Sequence, residues 1–225
     1  MEKGQLEERI RKIEETLREN TPENHAPPKL IAVTKTMPMT EILPLYQLGI
    51  REIGENRVQE IMEKAPGLQG KFRIHMIGRL QSNKVKYIME EVCMVHSLDR
   101  MSLAKEIDRQ GTAKGKRMPV LVQVNVAKEP QKAGLDVTQV QDFIATVKEF
   151  KGLQIEGLMA MMPQCENEQL LKTYFRQMKE LFTQLKEKNI PHIHMNHLSM
   201  GMSQDYHIAA QEGATLVRIG SAIFK

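Results

Sequence analysis

Eight short apolar runs alternate with stretches of helical periodicity along these 225 residues, and that alternation limits the possible folds more than any other feature. The runs are "KLIAVTK", "REIGEN", "RIHMIG", "MVHSL", "PVLVQVNV", "LQIEGLMAM", "HIHMNHLSM" and "TLVRIGSAIF". Helix-patterned segments separate them at roughly 40–48, 58–64, 83–92, 101–110, 137–150, 166–188 and 203–212. One further amphipathic helix opens the chain, with Leu6, Ile10, Ile13 and Leu17 on one stripe ahead of a "TPENHAPP" linker. The longest segment carries Leu170, Leu171, Tyr174, Phe175, Met178, Leu181, Phe182 and Leu185 on one face and needs a broad apolar surface beneath it, which a sheet supplies. Eight strands with helices between them predict an α/β fold, a single-domain (β/α)8 barrel (TIM barrel) over residues 1–225, with residues 1–28 as the added helix and linker. An open doubly wound sheet more often stops at five or six strands. No Gly-, Ser- or Pro-rich linker divides the chain after residue 30.

Composition narrows the function classes. Charged residues make up 27% of the chain and the formal charge is +4, but the charges are interleaved along helical faces. No nucleic-acid partner is expected: Arg79, Lys84 and Lys86 lie close together without interleaved aromatics and read as a solvated helix start. Cys93 and Cys165 are far apart and have no CxxC or CxxH neighbourhood, which predicts neither a disulfide framework nor structural zinc and fits a reducing compartment. His192 and His194 would share a strand face, yet no acidic residue or cysteine stands near them, so no metal site is expected. The opening segment lacks the apolar core of a secretory signal and no apolar run is long enough to span a bilayer, so the expected location is the cytoplasm, away from membranes.

In a barrel of this kind active sites form where strands end. Lys35 closes the first run, where partial desolvation would lower its amine pKa and favour a Schiff base with an aldehyde; the competing reading is a snorkelling surface charge. The ends of runs seven and eight, "LSMGMSQD" and "VRIGSAIF", bring small residues and hydroxyls to the usual phosphate position of such barrels, although Gly201 and Gly220 can equally serve tight turns. A ligand with both an aldehyde and a phosphate fits the pair, and pyridoxal 5'-phosphate has both. A cofactor-free aldolase using Lys35 on sugar phosphates is the competing chemistry.

The segments "AVTKT", "GENRVQE", "HMIGRLQSNK", "QVNVAKEPQKAGL", "GLMAM", "LSMGMSQD" and "GATLVRIGSAIF" give the chain a resemblance, over nearly its whole length, to the pyridoxal phosphate homeostasis protein family. The resemblance implies a barrel like the amino-terminal domain of alanine racemase and a role in vitamin B6 and amino-acid homeostasis. It implies pyridoxal phosphate held on Lys35, the phosphate on Ser199 and the backbone around Met202, Gly220 and Ser221, Arg218 facing the pyridine nitrogen, and Asn56 and His75 lining the pocket beside the ring. Asn83 or Lys84 would stand at the site rim. An arginine at the ring nitrogen only donates, leaving that nitrogen unprotonated and the electron sink weak. The four tyrosines, Tyr46, Tyr87, Tyr174 and Tyr206, all fall in helix-patterned segments, and none stands in a motif that looks like a second base. The reading is therefore a monomer that binds and delivers or buffers the cofactor, passing it to pyridoxal phosphate-dependent apo-enzymes, with no catalytic residue; the alternative is an amino-acid racemase.

Overall fold

The computed structural model describes residues 3–225 and forms a closed parallel barrel in which each strand pairs with the next and β8 returns to β1. The strands are β1 (Lys29–Val33), β2 (Glu52–Glu55), β3 (Arg73–Met76), β4 (Met94–Leu98), β5 (Met118–Val124), β6 (Leu153–Ala160), β7 (His197–Ser199) and β8 (Leu216–Ile219). Around them lie α1 (Lys3–Asn20), α2 (Met39–Gln47), α3 (Val58–Leu68), α4 (Val85–Ile88), α5 (Met101–Ala113), α6 (Val140–Val147), α7 (Glu168–Glu187), α8 (Tyr206–Gln211) and α9 (Ser221–Phe224).

Side chains alternate across the barrel wall, as strand pleating requires. Ile31, Met94, Leu121, Met159 and Leu216 form one apolar layer inside the barrel, with Cys93 packed against it. The outward-facing side chains join the helices in a second, larger core that includes Leu6, Ile10, Ile13 and Leu17 of α1. Helix α1 packs against α8 and α9, and Arg9 donates to the Ile223 carbonyl at 3.1 Å. Between β6 and β7 only glycine fits at position 157: its φ is 147°, and a Cβ there would lie 1.8 Å from the His197 carbonyl oxygen.

Most runs are trimmed at their ends, and in three the difference matters for the site. The first strand stops at Val33, because the buried Thr34 hydroxyl turns outward to bond Glu55, and Lys35 falls in the turn that follows. "HIHMNHLSM" is strand only over His197–Ser199; His192 has a φ of 66°, which takes it and His194 out of any shared strand face. The last run leaves the sheet at Gly220 and finishes as α9.

Candidate functional site

Lys35 projects from the C-terminal mouth of the barrel on a turn that is fastened from behind. Thr34 is wholly buried and donates to Glu55 Oε1 at 2.6 Å. The Lys64 ammonium bonds the Thr34 carbonyl at 2.9 Å, Glu55 Oε1 at 2.8 Å and Glu60 Oε2 at 3.2 Å. Glu60 also accepts from the Thr36 amide at 2.7 Å, which pins a residue held at a φ of 61°. Burial pushes the Glu55 carboxyl up, and its Oε2 has no partner. Against the upward push of burial, the Thr36 N–H and the Lys64 ammonium hold Glu60 below the ordinary carboxylate value. The backbone on both sides of Lys35 is thus fixed while Lys35 itself is exposed. The sequence reading placed this lysine in a partly desolvated strand end; the early turn after Val33 puts it in solvent instead.

Across the mouth, the loop after β7 and the end of β8 lie side by side. The Arg218 amide donates to the Gly201 carbonyl at 3.0 Å, and Gly201 has a φ of 97°, with no room for a Cβ beside Ala209. The amides of Gly220 and Ala222 converge on Ser203 Oγ at 3.3 and 3.2 Å, so two backbone donors meet at one oxygen. A Cβ on Gly220 would press on Val33 at 3.3 Å, which makes the bare backbone part of the cradle. Met202 and Ser221 stand at its rim, both exposed, and the Met202 amide is held by Asp205 Oδ1 at 2.5 Å. Burial raises the Asp205 carboxyl despite that bond.

Inside the barrel, Arg218 is 4% exposed, and no carboxylate lies within ion-pair distance of it among the described residues. It donates to Ser199 Oγ at 2.6 Å and to the Ala160 carbonyl at 2.8 Å, and burial depresses its pKa to about 10, so it stays charged at neutral pH. Ser199 continues to His96 Nδ1 at 3.1 Å, His96 Nε2 to His75 Nδ1 at 2.9 Å, and His75 Nε2 to Glu52 Oε2 at 2.8 Å. Burial, with His75 and Arg218 nearby, keeps His96 well below its ordinary value and hence neutral. Since guanidinium only donates, one polarity satisfies every member: the Ser199 proton goes to His96 Nδ1, the His96 Nε2 proton to His75, and the His75 Nε2 proton to Glu52.

The structure therefore brings Lys35, Met202, Gly220 and Ser221 to one mouth, with Arg218 beneath them. Asn56, half-buried at the end of β2, also lies at this end and lines a cavity of about 550 Å³ with Arg57, Arg79, Lys84 and Arg100. Two residues sit differently from the sequence reading. Both ring nitrogens of His75 are engaged by His96 and by Glu52, the first residue of β2, so it faces the opposite end of the barrel. The Ser199 hydroxyl lies under Arg218, bonded to it and to His96, instead of facing the loop after β7. The sequence points to the Ser203 segment and to Glu55 as a polar strand end but assigns neither a ligand contact; for His96, Thr34, Lys64 and Glu60 the one local signal is the Glu60–Lys64 spacing of four.

The model of the alanine racemase N-terminal domain matches residues 3–225. The pyridoxal phosphate homeostasis protein of Aquifex aeolicus is 40% identical over 198 residues, covering 87% of this chain and 86% of its own. That of Escherichia coli K12 is 38% identical over 201 residues, covering 87% of this chain and 84% of its own. PipY of Synechococcus elongatus, solved with PLP bound, superposes with a TM-score of 0.85 at 32% identity, covering 98% of this chain and all of that one (100%). Alanine racemase from Bartonella henselae, with covalently bound pyridoxal phosphate, shares the fold at 16% identity and a TM-score of 0.75; this chain spans 59% of it.

Proposed function

Because the chain belongs to the pyridoxal phosphate homeostasis protein family, built on the alanine racemase N-terminal domain, we propose that it binds pyridoxal 5'-phosphate at the C-terminal mouth of its barrel through Lys35. The observation that carries the reading is Arg218, a buried guanidinium without a carboxylate partner, set below two backbone amides that converge on one oxygen and near an exposed amine. Burying an unpaired charge is costly. A bound group that accepts from Arg218 and carries negative charge above it would offset that cost, and a pyridine ring with a phosphate does both. The cofactor, when bound, supplies an aldehyde for the lysine and an electron-withdrawing ring.

Each residue then has a task. Gly220, Ser221, Ala222 and the Met202–Ser203 backbone would hold the phosphate, which would take over the Gly220 and Ala222 amides from Ser203 Oγ. Arg218, oriented from below by Ser199 and Ala160, would donate to the ring nitrogen. Asn56 borders the ring. Lys64, Glu55 and Glu60 fix the Lys35 turn so that the amine alone moves.

The chain holds and hands on the cofactor with little or no turnover. Arg218 would leave the ring nitrogen unprotonated, and all four tyrosines lie on helices α2, α4, α7 and α8, so no tyrosine stands at a strand end as a second base. Its role is supply or buffering of the cofactor for apo-enzymes in the cytoplasm, as a monomer. Two free thiols and exposed large apolar side chains scattered over several elements support that setting.

The test is an absorption spectrum with and without added pyridoxal phosphate, followed by borohydride reduction and peptide mapping. A visible band trapped on Lys35 is the expected result; label scattered over surface lysines would overturn the site. Racemisation of alanine well above the rate with free cofactor would overturn the non-catalytic role while leaving the site intact.

A further inference from the structure

The opposite mouth of the barrel carries a second constellation that the cofactor reading does not use. Strands β2, β3 and β4 are neighbours in register, with Gly54 opposite His75 and His75 opposite Met94. Glu52 opens β2, His75 points down from β3, and Cys93 immediately precedes β4. One carboxylate oxygen, one imidazole nitrogen and one thiol sulfur thereby come within 4.8 Å of one another, the only such group of three among the described residues. Sequence spacing could not reveal it, because the three residues lie on β2, on β3 and just before β4.

We propose that Glu52, His75 and Cys93 bind a divalent metal ion of borderline softness, of the zinc class, at the N-terminal mouth of the barrel. Mixed oxygen, nitrogen and sulfur donors suit such an ion, and three protein ligands leave a fourth position for water. Glu52 and His75 are buried, while half-buried Cys93 faces the entrance and packs inward against the layer of Ile31, Met94, Leu121, Met159 and Leu216. The ion would have a dry wall behind it and solvent in front. His75 is already oriented by His96 on its far nitrogen, as metal-binding imidazoles commonly are.

The protons balance. Coordination through His75 Nε2 moves its proton to Nδ1, which then donates to His96 Nε2. His96 in turn donates from Nδ1 to Ser199 Oγ, whose second lone pair is free beside the one taken by Arg218. Cys93 loses its proton to solvent. Two cations now stand at Glu52: Lys29 at 3.3 Å and Arg73 at 3.4 Å, each with a side chain 63% exposed. Only Glu52 is buried in these pairs; both cations are largely solvated, and their side chains are long enough to swing into water when an ion arrives.

Cobalt(II) serves as the probe, titrated into the purified full-length chain and followed by the thiolate-to-metal charge-transfer absorption in the near ultraviolet. One saturable equivalent with that band is expected. The band should vanish in Cys93→Ser, survive in Cys165→Ser and Lys35→Ala, and require at least about tenfold more cobalt in Glu52→Gln and His75→Gln. Zinc should displace the cobalt. Absence of saturable binding to the unmutated chain overturns the proposal, as does a band that persists in Cys93→Ser or is lost in Cys165→Ser. Because Lys35→Ala leaves this site whole, the outcome does not depend on the cofactor reading.

Discussion

The two ends of this barrel are made by the same eight strands and are chemically opposed. At the C-terminal end the groups facing outward are backbone amides, glycine-bearing loops and an exposed lysine, and the side chains that matter most hold them from behind. At the N-terminal end side chains meet one another directly: Glu52 takes His75, Arg73 and Lys29 at once. One end spends two of its backbone donors on a single neutral hydroxyl, Ser203 Oγ, which a ligand that brings negative charge can replace. The other has already neutralised itself, and a ligand there must displace what is present. The largest test of that contrast is Lys35→Ala. It should abolish covalent attachment and the visible band outright, while stability changes by less than about 0.5 kcal/mol, since the side chain is exposed. Thermal unfolding beside the absorption spectrum checks both halves, and a large loss of stability would make Lys35 a structural residue.

The fastening behind Lys35 sharpens the comparison, because its charged groups are paired among themselves like those of the N-terminal cluster, yet it serves the open end. Lys64→Met removes an ammonium that three oxygens share and leaves Glu55 buried between Thr34 and the carboxylate of Glu60, with no cation. Loss of one partner from a buried ionic group costs roughly 3 kcal/mol or more. Denaturant unfolding should show that loss, and cofactor uptake should slow as the Thr34–Thr36 turn loosens. Unchanged stability would mean that Glu55 takes up a proton and closes the network without Lys64.

How much of this was legible in the chain follows from the range of the interactions. The alternation of apolar runs and helical stripes is local, and it carries the barrel and the place of Arg218 and Gly220 at the end of β8, while Lys35 lies in the turn beyond β1. Strand ends themselves were blurred, because Thr34 leaves β1 for a partner 21 positions away and because nothing nearby marks that hydroxyl as buried. His75 and Ser199 were placed on the right strands, yet the direction of each side chain is set by His96, Arg218 and Glu52 from other strands. A resemblance carried over by motif transmits position along the chain, and it transmits the facing of a side chain less securely.

Arg218→Lys tests the member that joins the two ends. Lysine keeps the charge but cannot bond Ser199 and Ala160 together, so the buried chain running down to Glu52 loses its fixed upper end. Expected are a stability loss of about 1–2 kcal/mol and cofactor affinity weaker by about tenfold, with the covalent bond to Lys35 still forming. Titration with pyridoxal phosphate reads the affinity, and the borohydride-trapped fraction reads the bond. Unchanged affinity would remove Arg218 from the ring.

The smallest effect concerns Asp205, the one carboxylate near Arg218 at the receiving end. Burial raises its pKa above the ordinary 3.8 although the Met202 amide and Arg218 pull it down. Between the ordinary and the raised value the folded chain holds a proton that the unfolded chain has released, so this residue's contribution to stability is full below that window and declines as pH rises through it. Asp205→Asn keeps an oxygen for the Met202 amide and removes the titration. The stability of the unmutated chain relative to the variant should therefore fall as pH climbs out of the acid range, by less than the loss at Arg218. A difference that instead grows with pH would mean that Asp205 is stabilised as a carboxylate by Arg218, and the buried guanidinium would then have its counter-charge before any ligand arrives.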